Sequence, residues 1–159
     1  MKHGACDWIR NQTMDMSSFF ELKVDIHHVF PKDWCNKNHI AAGRRESIVN
    51  KTPLSYSTNR TIGGRSPALY VSTLASKAEI ADDEVDAVIS THAINPLHLR
   101  EADFDAYFAD RTNALLELIA DAMKKPPIPD DSSFEGDELS YLEEEDDVQD
   151  EDVQEQLLA

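Results

Sequence analysis

The sequence predicts an α+β fold, in which two short strands and a helix form the centre and further helices follow. Val24 to Phe30 alternates apolar and polar residues as a strand does, and a second short apolar run lies at Ile48-Val49. From Asp103 to Lys125, apolar residues recur at spacings of three, four and seven, as on one face of a helix. With 159 residues, of which 41% are hydrophobic, the chain is expected to bury one modest core.

Composition divides the chain into three parts. Residues 1–23 have a mixed composition and form a lead-in that we interpret as the remnant of a longer chain. Residues 24–125 carry the predicted strands and helices and form the domain. From Pro126 onward the chain consists largely of Pro, Ser and acids, with too little apolar surface to offset the entropy lost on ordering. Residues 126–159 are therefore predicted to be a disordered acidic tail.

The formal charge of -16 is distributed unevenly. All 15 Lys and Arg residues lie in residues 1–125, where 17 acids leave a charge of -2, and residues 126–159 hold the other 14 acids. Between Lys23 and Arg65 there are 8 basic residues and 3 acids, a local charge of +5. Because salt screens charges over roughly 10 Å, such a basic stretch can attract phosphate although the net charge is negative.

The first predicted strand, Val24 to Phe30, carries the adjacent residues His27 and His28 and ends at Pro31, since proline cannot donate to a strand ladder. A long loop follows and leads to the second strand. That strand begins at Ile48-Val49 and ends at Pro53-Leu54.

A short helix is predicted from Tyr56 to Thr61. Ser55 is its N-cap, and Gly63-Gly64 end it, where a left-handed residue is needed. The predicted order is therefore strand, long loop, strand, helix.

Three further helices are predicted. The first begins at Pro67 and ends near Ser76, the second begins with the acids at Asp82-Asp83-Glu84, and the third is Asp103 to Lys125, stopped by Pro126. The residues expected to face inward are Leu69, Tyr70, Leu74, Val85, Val88, Ile89, Phe104, Tyr107, Phe108, Leu115, Leu118, Ile119 and Ala122.

Cysteine content and hydropathy indicate in which cellular compartment the protein is expected. Cys6 and Cys35 form no disulfide framework and no CxxC pair, which is typical of a reducing cytosol. No apolar run approaches 18 residues and no signal sequence is evident, so we expect a cytoplasmic protein with no membrane partner.

The two histidines of the first strand, together with Asn50 and Asn59-Arg60 further along the chain, indicate a metal-dependent phosphodiesterase site. Hydrolysis needs a water nucleophile, a base and positive charge near the phosphate oxygens, and one histidine with one divalent ion can supply all three. Adjacent residues on a strand point to opposite faces, so His27 and His28 are expected to divide the roles of metal ligand and base. The side-chain oxygen of Asn59, on the short helix, could provide a further ligand.

In three pieces the sequence resembles the HNH, or His-Me finger, nuclease motif, which is a ββα-metal fold. The pieces are DIHHVFP from Asp25, SIVNK with Asn50 22 residues after His28, and STNR with Asn59 a further 9 residues on. The most similar variant is the C-terminal nuclease domain of GmrSD-type restriction endonucleases. The resemblance is specific within residues 25–64.

The resemblance implies a role for each residue that matches the motif. It implies that His28 is the general base, and that His27 and Asn59 are the protein ligands of Mg²⁺, or of Mn²⁺ or another divalent ion. It implies that Asn50 fixes the loop between the strands and that Asp25 is an auxiliary acid.

The resemblance also implies DNA as the substrate, cleavage that leaves 5′-phosphate and 3′-hydroxyl ends, and a function in restriction or phage defence. Similar full-length proteins carry a ParB-like nucleotide-hydrolysing domain that this chain lacks, so another chain is expected to supply it. Lys51 and Arg60 flank the proposed ligands and, with Arg65, are predicted to contact the DNA backbone.

Two alternatives remain open at this stage. Cys35 and His39, with His27 or His28, could form a zinc module, whereas Cys35 alone reads as a small buried apolar residue. The chain could also be a non-catalytic, truncated interaction or DNA-binding module regulated by its acidic tail. His3, His92 and His98 lie outside the motif and are predicted to be surface or capping residues.

Overall fold

The structure, a computed structural model, describes residues 4–15 and 17–124. Its strands are β1, Asp25–His28, and β2, Lys51–Leu54, and a short 3-10 turn, Ile48–Asn50, leads into β2. The helices in chain order are α1 Ser18–Leu22, α2 Lys32–Lys37, α3 Ala42–Arg45, α4 Tyr56–Ile62, α5 Pro67–Ala78, α6 Asp82–Ser90, α7 Pro96–Arg100 and α8 Phe104–Met123. The fold is thus α+β, as predicted.

The two strands form an antiparallel pair whose faces differ in burial. His27 lies opposite Thr52 and His28 lies opposite Lys51. Because successive side chains alternate between faces, Thr52 and Leu54 share one face and both are buried. Ile26, Lys51 and His28 lie on the other, more open face, where Ile26 is 52% exposed.

The segment between the strands is not the long loop that was predicted. It contains α2, α3 and the 3-10 turn before β2 begins at Lys51. β1 also ends at His28, two residues earlier than predicted. The next two residues, Val29 and Phe30, are fully buried, and Pro31 is the N-cap of α2. The polar sequence of Lys32–Lys37 gave no sign of helix α2, which is stabilised by packing around the buried Cys35.

Helix α4 begins at Tyr56 as predicted and ends at Ile62, one residue later than predicted. The Ser55 hydroxyl accepts a hydrogen bond from the Thr58 backbone N–H at 3.2 Å, which caps the first turn. Gly63 ends the helix with a φ of 53°, and its N–H donates to the Asn59 carbonyl. These local signals place Asn59 on the short helix directly after β2.

The C-terminal helices follow the prediction in part. Tyr70, Leu74, Val85, Val88 and Ile89 are buried as expected. Leu69, however, is 64% exposed. Helix α7, Pro96–Arg100, had not been predicted.

Helix α8 faces the core through its first half alone. Phe104 and Tyr107 are buried, but Leu118, Ile119 and Ala122 are exposed and Leu115 is half-buried, so the predicted inward face is wrong beyond the middle of the helix. The periodicity is real, but among the described residues nothing covers its second half.

The N-terminal segment packs into the same core as the strands. Trp8 is fully buried and stacks on Tyr70, with ring centroids 6.2 Å apart. Cys6 forms an isolated β-bridge with Thr13, and its N–H donates to the Thr91 hydroxyl at 3.1 Å. The described residues all belong to one compact unit. The predicted acidic tail, residues 126–159, lies outside the described residues.

One histidine prediction is wrong. His92 is not a surface residue but is fully buried beside Trp8, where its two ring nitrogens hydrogen-bond to the Thr52 hydroxyl and the Cys6 carbonyl. No helix in the described part of the chain is both long enough and apolar enough to cross a membrane.

Candidate functional site

His28, the last residue of β1, lies beside a carboxylate that the sequence motif did not indicate. Its Nε2 is 2.9 Å from Glu46 Oε2. Because an ionised carboxylate can only accept, Nε2–H must be the donor, and Nδ1 is then the basic nitrogen of the neutral ring. Lys51, which lies opposite His28 in the strand pair, brings its Nζ to 3.5 Å from the same carboxylate oxygen.

Glu46 is held as a charged acceptor. The Arg45 Nε donates to its Oε1 at 2.9 Å, and this hydrogen bond is the main reason that the pKa of Glu46 is lowered to about 2, with His28 and Lys51 contributing. Its backbone is fixed as well, since Glu46 caps the end of α3 and its N–H donates to the carbonyl of Ala42, the first residue of that helix. The carboxylate is therefore ionised at neutral pH.

Asn50 pins the chain that follows His28. Its Oδ1 accepts from the Phe30 N–H at 2.9 Å, and its Nδ2 donates to the Phe30 and Arg45 carbonyls, both at 3.0 Å. The Val29 N–H donates to the Asn50 carbonyl at 2.9 Å. One fully buried side chain thus ties the end of β1 to the segment that carries Glu46.

His27 lies on the opposite face of β1 from His28, the face that Thr52 and Leu54 share, and is half-buried. Burial lowers the pKa of His27 below its ordinary value, although the charge of Asp25 acts in the opposite direction. The ring is therefore neutral at pH 7, which is the form that binds a metal. The Asp25 carboxylate accepts from the Ile26 N–H at 2.7 Å and is exposed.

Asn59 lies on α4 and is half-buried. Among the described residues no hydrogen bond links its side chain to His27 or His28, or to any other group, so its amide oxygen is available to a ligand. The helix beneath it is firmly anchored. The fully buried Asp7 carboxylate accepts from the Ser55 N–H at 3.0 Å and from the Thr58 hydroxyl at 2.9 Å.

The pKa of Asp7 results from opposed effects. Burial raises this pKa, but hydrogen bonds from Ser55, Arg10 and Thr58 outweigh the effect of burial, and the pKa is lowered overall. A charged carboxylate therefore sits in the core at the start of α4, where negative charge is favourable. Through it the N-terminal segment holds in place the helix that carries Asn59.

The basic side chains predicted to contact DNA have different surroundings. Arg60 is exposed and lies over the Tyr56 ring, with its guanidinium carbon 5.6 Å from the centroid. The guanidinium of Arg65 donates to the Ile62 and Thr61 carbonyls at the end of α4. Arg60 is thus the more available of the two for a phosphate.

The described residues contain no group of three or more His, Cys, Asp or Glu side chains placed to hold a metal ion. This bears directly on the zinc module. Cys35 is fully buried, and its thiol donates to the Phe30 carbonyl at 3.4 Å, while His39 is exposed. Cys35 is therefore the buried apolar residue that the sequence suggested. Burial raises its pKa to about 11, which disfavours the thiolate that zinc requires.

The ligand set implied for Mg²⁺ is of another kind, because one imidazole and one amide oxygen leave most positions to water and phosphate. His27 and Asn59 fit such an ion in chemistry, since the first is neutral and half-buried and the amide oxygen of the second has no hydrogen-bond partner among the described residues.

Two residues of this region were missed by sequence reasoning. Glu46 is one of only three acids in the basic stretch from Lys23 to Arg65, and that contrast is a signal that could have identified it. Asp7 gives no local signal, because its partners are 48 and 51 residues away.

Comparison with known proteins finds an archaeal protein that is similar to part of this chain. No family model matches the chain, and no solved structure matches it significantly. The uncharacterized protein MJ0686 of Methanocaldococcus jannaschii is 29% identical over 96 residues, which cover 54% of this chain and 17% of that protein. The chain therefore spans less than a fifth of the length of this curated relative.

Proposed function

We propose that this chain is a metal-dependent DNA endonuclease domain of the HNH type. The observation that carries the proposal is the end of β1. There His28 donates from Nε2 to Glu46 and so keeps Nδ1 as its basic nitrogen, while Asn50 pins the backbone two residues further on. A histidine with one nitrogen held by a carboxylate and the other free is the arrangement expected of a general base.

In this proposal His28 activates the water that attacks the phosphodiester. The Nδ1 atom accepts a proton from the water, the water oxygen forms a bond to phosphorus, and the bond from phosphorus to the 3′ oxygen breaks. The 3′ oxygen takes a proton from solvent, which gives 5′-phosphate and 3′-hydroxyl ends. A positioned base of this kind contributes on the order of 10²–10⁴-fold to the rate.

His27 and Asn59 are the side chains that would hold the divalent ion, Mg²⁺ or Mn²⁺, with Asp25 as an auxiliary acid beside His27. When bound, the ion supplies positive charge to the phosphate oxygens as the transition state forms. The lowered pKa of His27 supports this assignment, because a neutral imidazole can coordinate without first releasing a proton.

DNA binding in this proposal relies on phosphate contacts. Arg60 is exposed beside Tyr56 on the helix that carries Asn59, and Lys51 lies beside the proposed base. Arg65 adds positive charge at the end of the same helix. Such contacts orient the backbone and do not read bases, so any recognition of sequence or of modified bases belongs to a partner.

The proposed setting is restriction or phage defence. The matched relative is much longer than this chain, which is consistent with a nuclease domain that works with other domains. We propose a ParB-like nucleotide-hydrolysing domain or subunit as the companion.

The test is nicking of supercoiled plasmid with Mg²⁺ or Mn²⁺. We expect the parent chain to nick, and His28→Ala and Asn59→Ala to lower the rate at least about 100-fold. His39→Ala, which changes an exposed histidine outside the motif, is the matched control and should nick like the parent. Chelation with EDTA should abolish all cleavage.

The same assay separates the alternative. A parent that does not nick, either whole or with residues 126–159 deleted, would contradict the nuclease activity of this chain. If the deletion then raised DNA affinity and steepened its salt dependence, the binding module regulated by its acidic tail would be favoured instead.

A further inference from the structure

Glu46 lies next to the proposed base, although no feature of the motif called for an acid there. It follows α3 and precedes the 3-10 turn, so it is 18 residues from His28 in the chain and reaches it through the fold alone. Its two oxygens have separate partners: Oε1 accepts from Arg45 Nε, and Oε2 faces His28 and Lys51.

Stability alone does not account for this arrangement. The Glu46 side chain is 40% exposed, and exposed ion pairs contribute about 0–1 kcal/mol to folding. Three partners nevertheless converge on this one carboxylate, and the backbone on both sides is fixed. The Glu46 N–H donates to the Ala42 carbonyl, and the following residue, Ser47, caps the 3-10 turn by accepting from the Val49 N–H at 3.2 Å.

We propose that Glu46 is the positioning residue of the reaction: it holds the His28 ring through Nε2 so that Nδ1 faces the attacking water. This inference rests on the proposed nuclease function and deepens it. Glu46 touches neither the DNA nor the reacting atoms. When the ring gains a proton from the water, the carboxylate also stabilises the imidazolium that forms. Arg45 and Lys51 keep that carboxylate in place between turnovers.

Asn50 links the segment that carries Glu46 to the segment that carries His28. Its amide donates to the Arg45 carbonyl, next to Glu46, and to the Phe30 carbonyl, two residues after His28. The acid and the base are therefore set at a fixed separation by one buried side chain. An acid held in this way can orient a ring without the large loss of rotamer entropy that exposed pairs suffer.

The test compares plasmid nicking by the parent with that by Glu46→Ala, Glu46→Gln and Glu117→Gln, over a range of plasmid concentrations. We expect Glu46→Ala to lower kcat on the order of 10- to 100-fold while KM changes little, because the ring is lost from its position but DNA contacts remain. Glu46→Gln keeps an acceptor oxygen and should recover part of the loss. Glu117, exposed on α8, provides the matched control, which should nick like the parent.

A second arm asks whether the effect passes through His28. On a His28→Ala background, Glu46→Ala should cause no further loss of the residual rate, and thermal unfolding should show all variants folded. Parent-like nicking by folded Glu46→Ala would overturn this inference and leave the nuclease proposal standing. So would an equal loss on both backgrounds. A parent that does not nick would overturn the nuclease proposal itself, and with it the role of Glu46.

Discussion

Buried polar side chains hold the candidate site together, and Asn50 is one of them. It satisfies the N–H and the carbonyl of Phe30 and also the Arg45 carbonyl, so three backbone groups depend on one amide. Buried backbone groups without partners cost about 1–3 kcal/mol each. The geometry around His28 and Glu46 therefore depends on a side chain that hydrogen-bonds to the backbone beside each of them.

Replacement of Asn50 by alanine is expected to lower the free energy of unfolding by about 3 kcal/mol, because the buried Phe30 N–H loses its acceptor and a cavity remains. Urea unfolding measures the change. Asn113→Ala, at an exposed position of α8, is the matched control and should lie within about 0.5 kcal/mol of the parent. An equal effect of the two substitutions would contradict the role given to Asn50.

At the scale of elements, α8 supports the strand pair from one end. The Tyr107 hydroxyl donates to the Val49 carbonyl at 2.8 Å and accepts from Arg111 Nη1 at 2.8 Å. Arg111, buried in the same half of the helix, donates from Nη2 to the Lys51 carbonyl at 3.0 Å. These contacts fix the backbone on both sides of Asn50, so the first half of α8 sets the position of the start of β2.

The two halves of α8 should therefore respond differently to substitution. Tyr107→Phe leaves the Val49 carbonyl and one Arg111 nitrogen without partners, and we expect a loss of about 1–3 kcal/mol in the free energy of unfolding. Ile119→Ser, in the exposed half, should change it by about 0.5 kcal/mol or less. Chemical denaturation of both variants decides the matter, and a larger cost for Ile119→Ser would mean that something covers the second half of α8.

For the molecule as a whole, the N-terminal segment and the strand pair meet at His92. Its Nε2 donates to the Cys6 carbonyl at 2.8 Å, because a carbonyl can only accept, and its Nδ1 then accepts from the Thr52 hydroxyl at 2.7 Å. Burial lowers the pKa of His92 to about 4, with the hydrogen bond to Cys6 acting against it. Protonation of this ring reverses the direction of the hydrogen bond with the Thr52 hydroxyl and places a charge in the core.

Stability of the whole chain should accordingly fall on mild acidification. The pKa of His92 is about 4 in the folded protein and about 6.5 when unfolded, so the unfolded chain binds more protons between these pH values. We expect the free energy of unfolding to fall by roughly 3 kcal/mol as the pH is lowered through this window. Urea unfolding between pH 7.5 and pH 4 measures it.

The contribution of His92 is isolated by a variant. His92→Gln lacks a titratable group, so its stability deficit relative to the parent should be largest near pH 7 and should shrink towards pH 4. His39→Gln, at an exposed histidine, serves as the control and should follow the parent at every pH. A deficit for His92→Gln that stays constant with pH would contradict the burial of a neutral ring.

The sequence predicted some helices and strands well, but it predicted the contacts of the candidate site less completely. Helix α4 was predicted with its caps because Ser55 and Gly63 act within one turn of the helix that they delimit. Helix α2 was missed because six polar and aromatic residues give no helical period of their own. At the site, the assignments of His27, His28 and Asn59 remain predictions. The role expected of Asn50 also remains a prediction, and its side chain contacts Phe30 and Arg45.

The sequence by itself determined the α+β class, the presence of His27 and His28 on the first strand, and the short helix that directly follows the second strand. These are local properties, encoded by alternation, caps and glycines over a few residues. Only the tertiary structure decided that Glu46 faces His28, that Asp7 and His92 are buried, and that the second half of α8 is exposed. Each depends on which surfaces meet across 18 to 86 residues of chain, and packing, not local propensity, selects those partners.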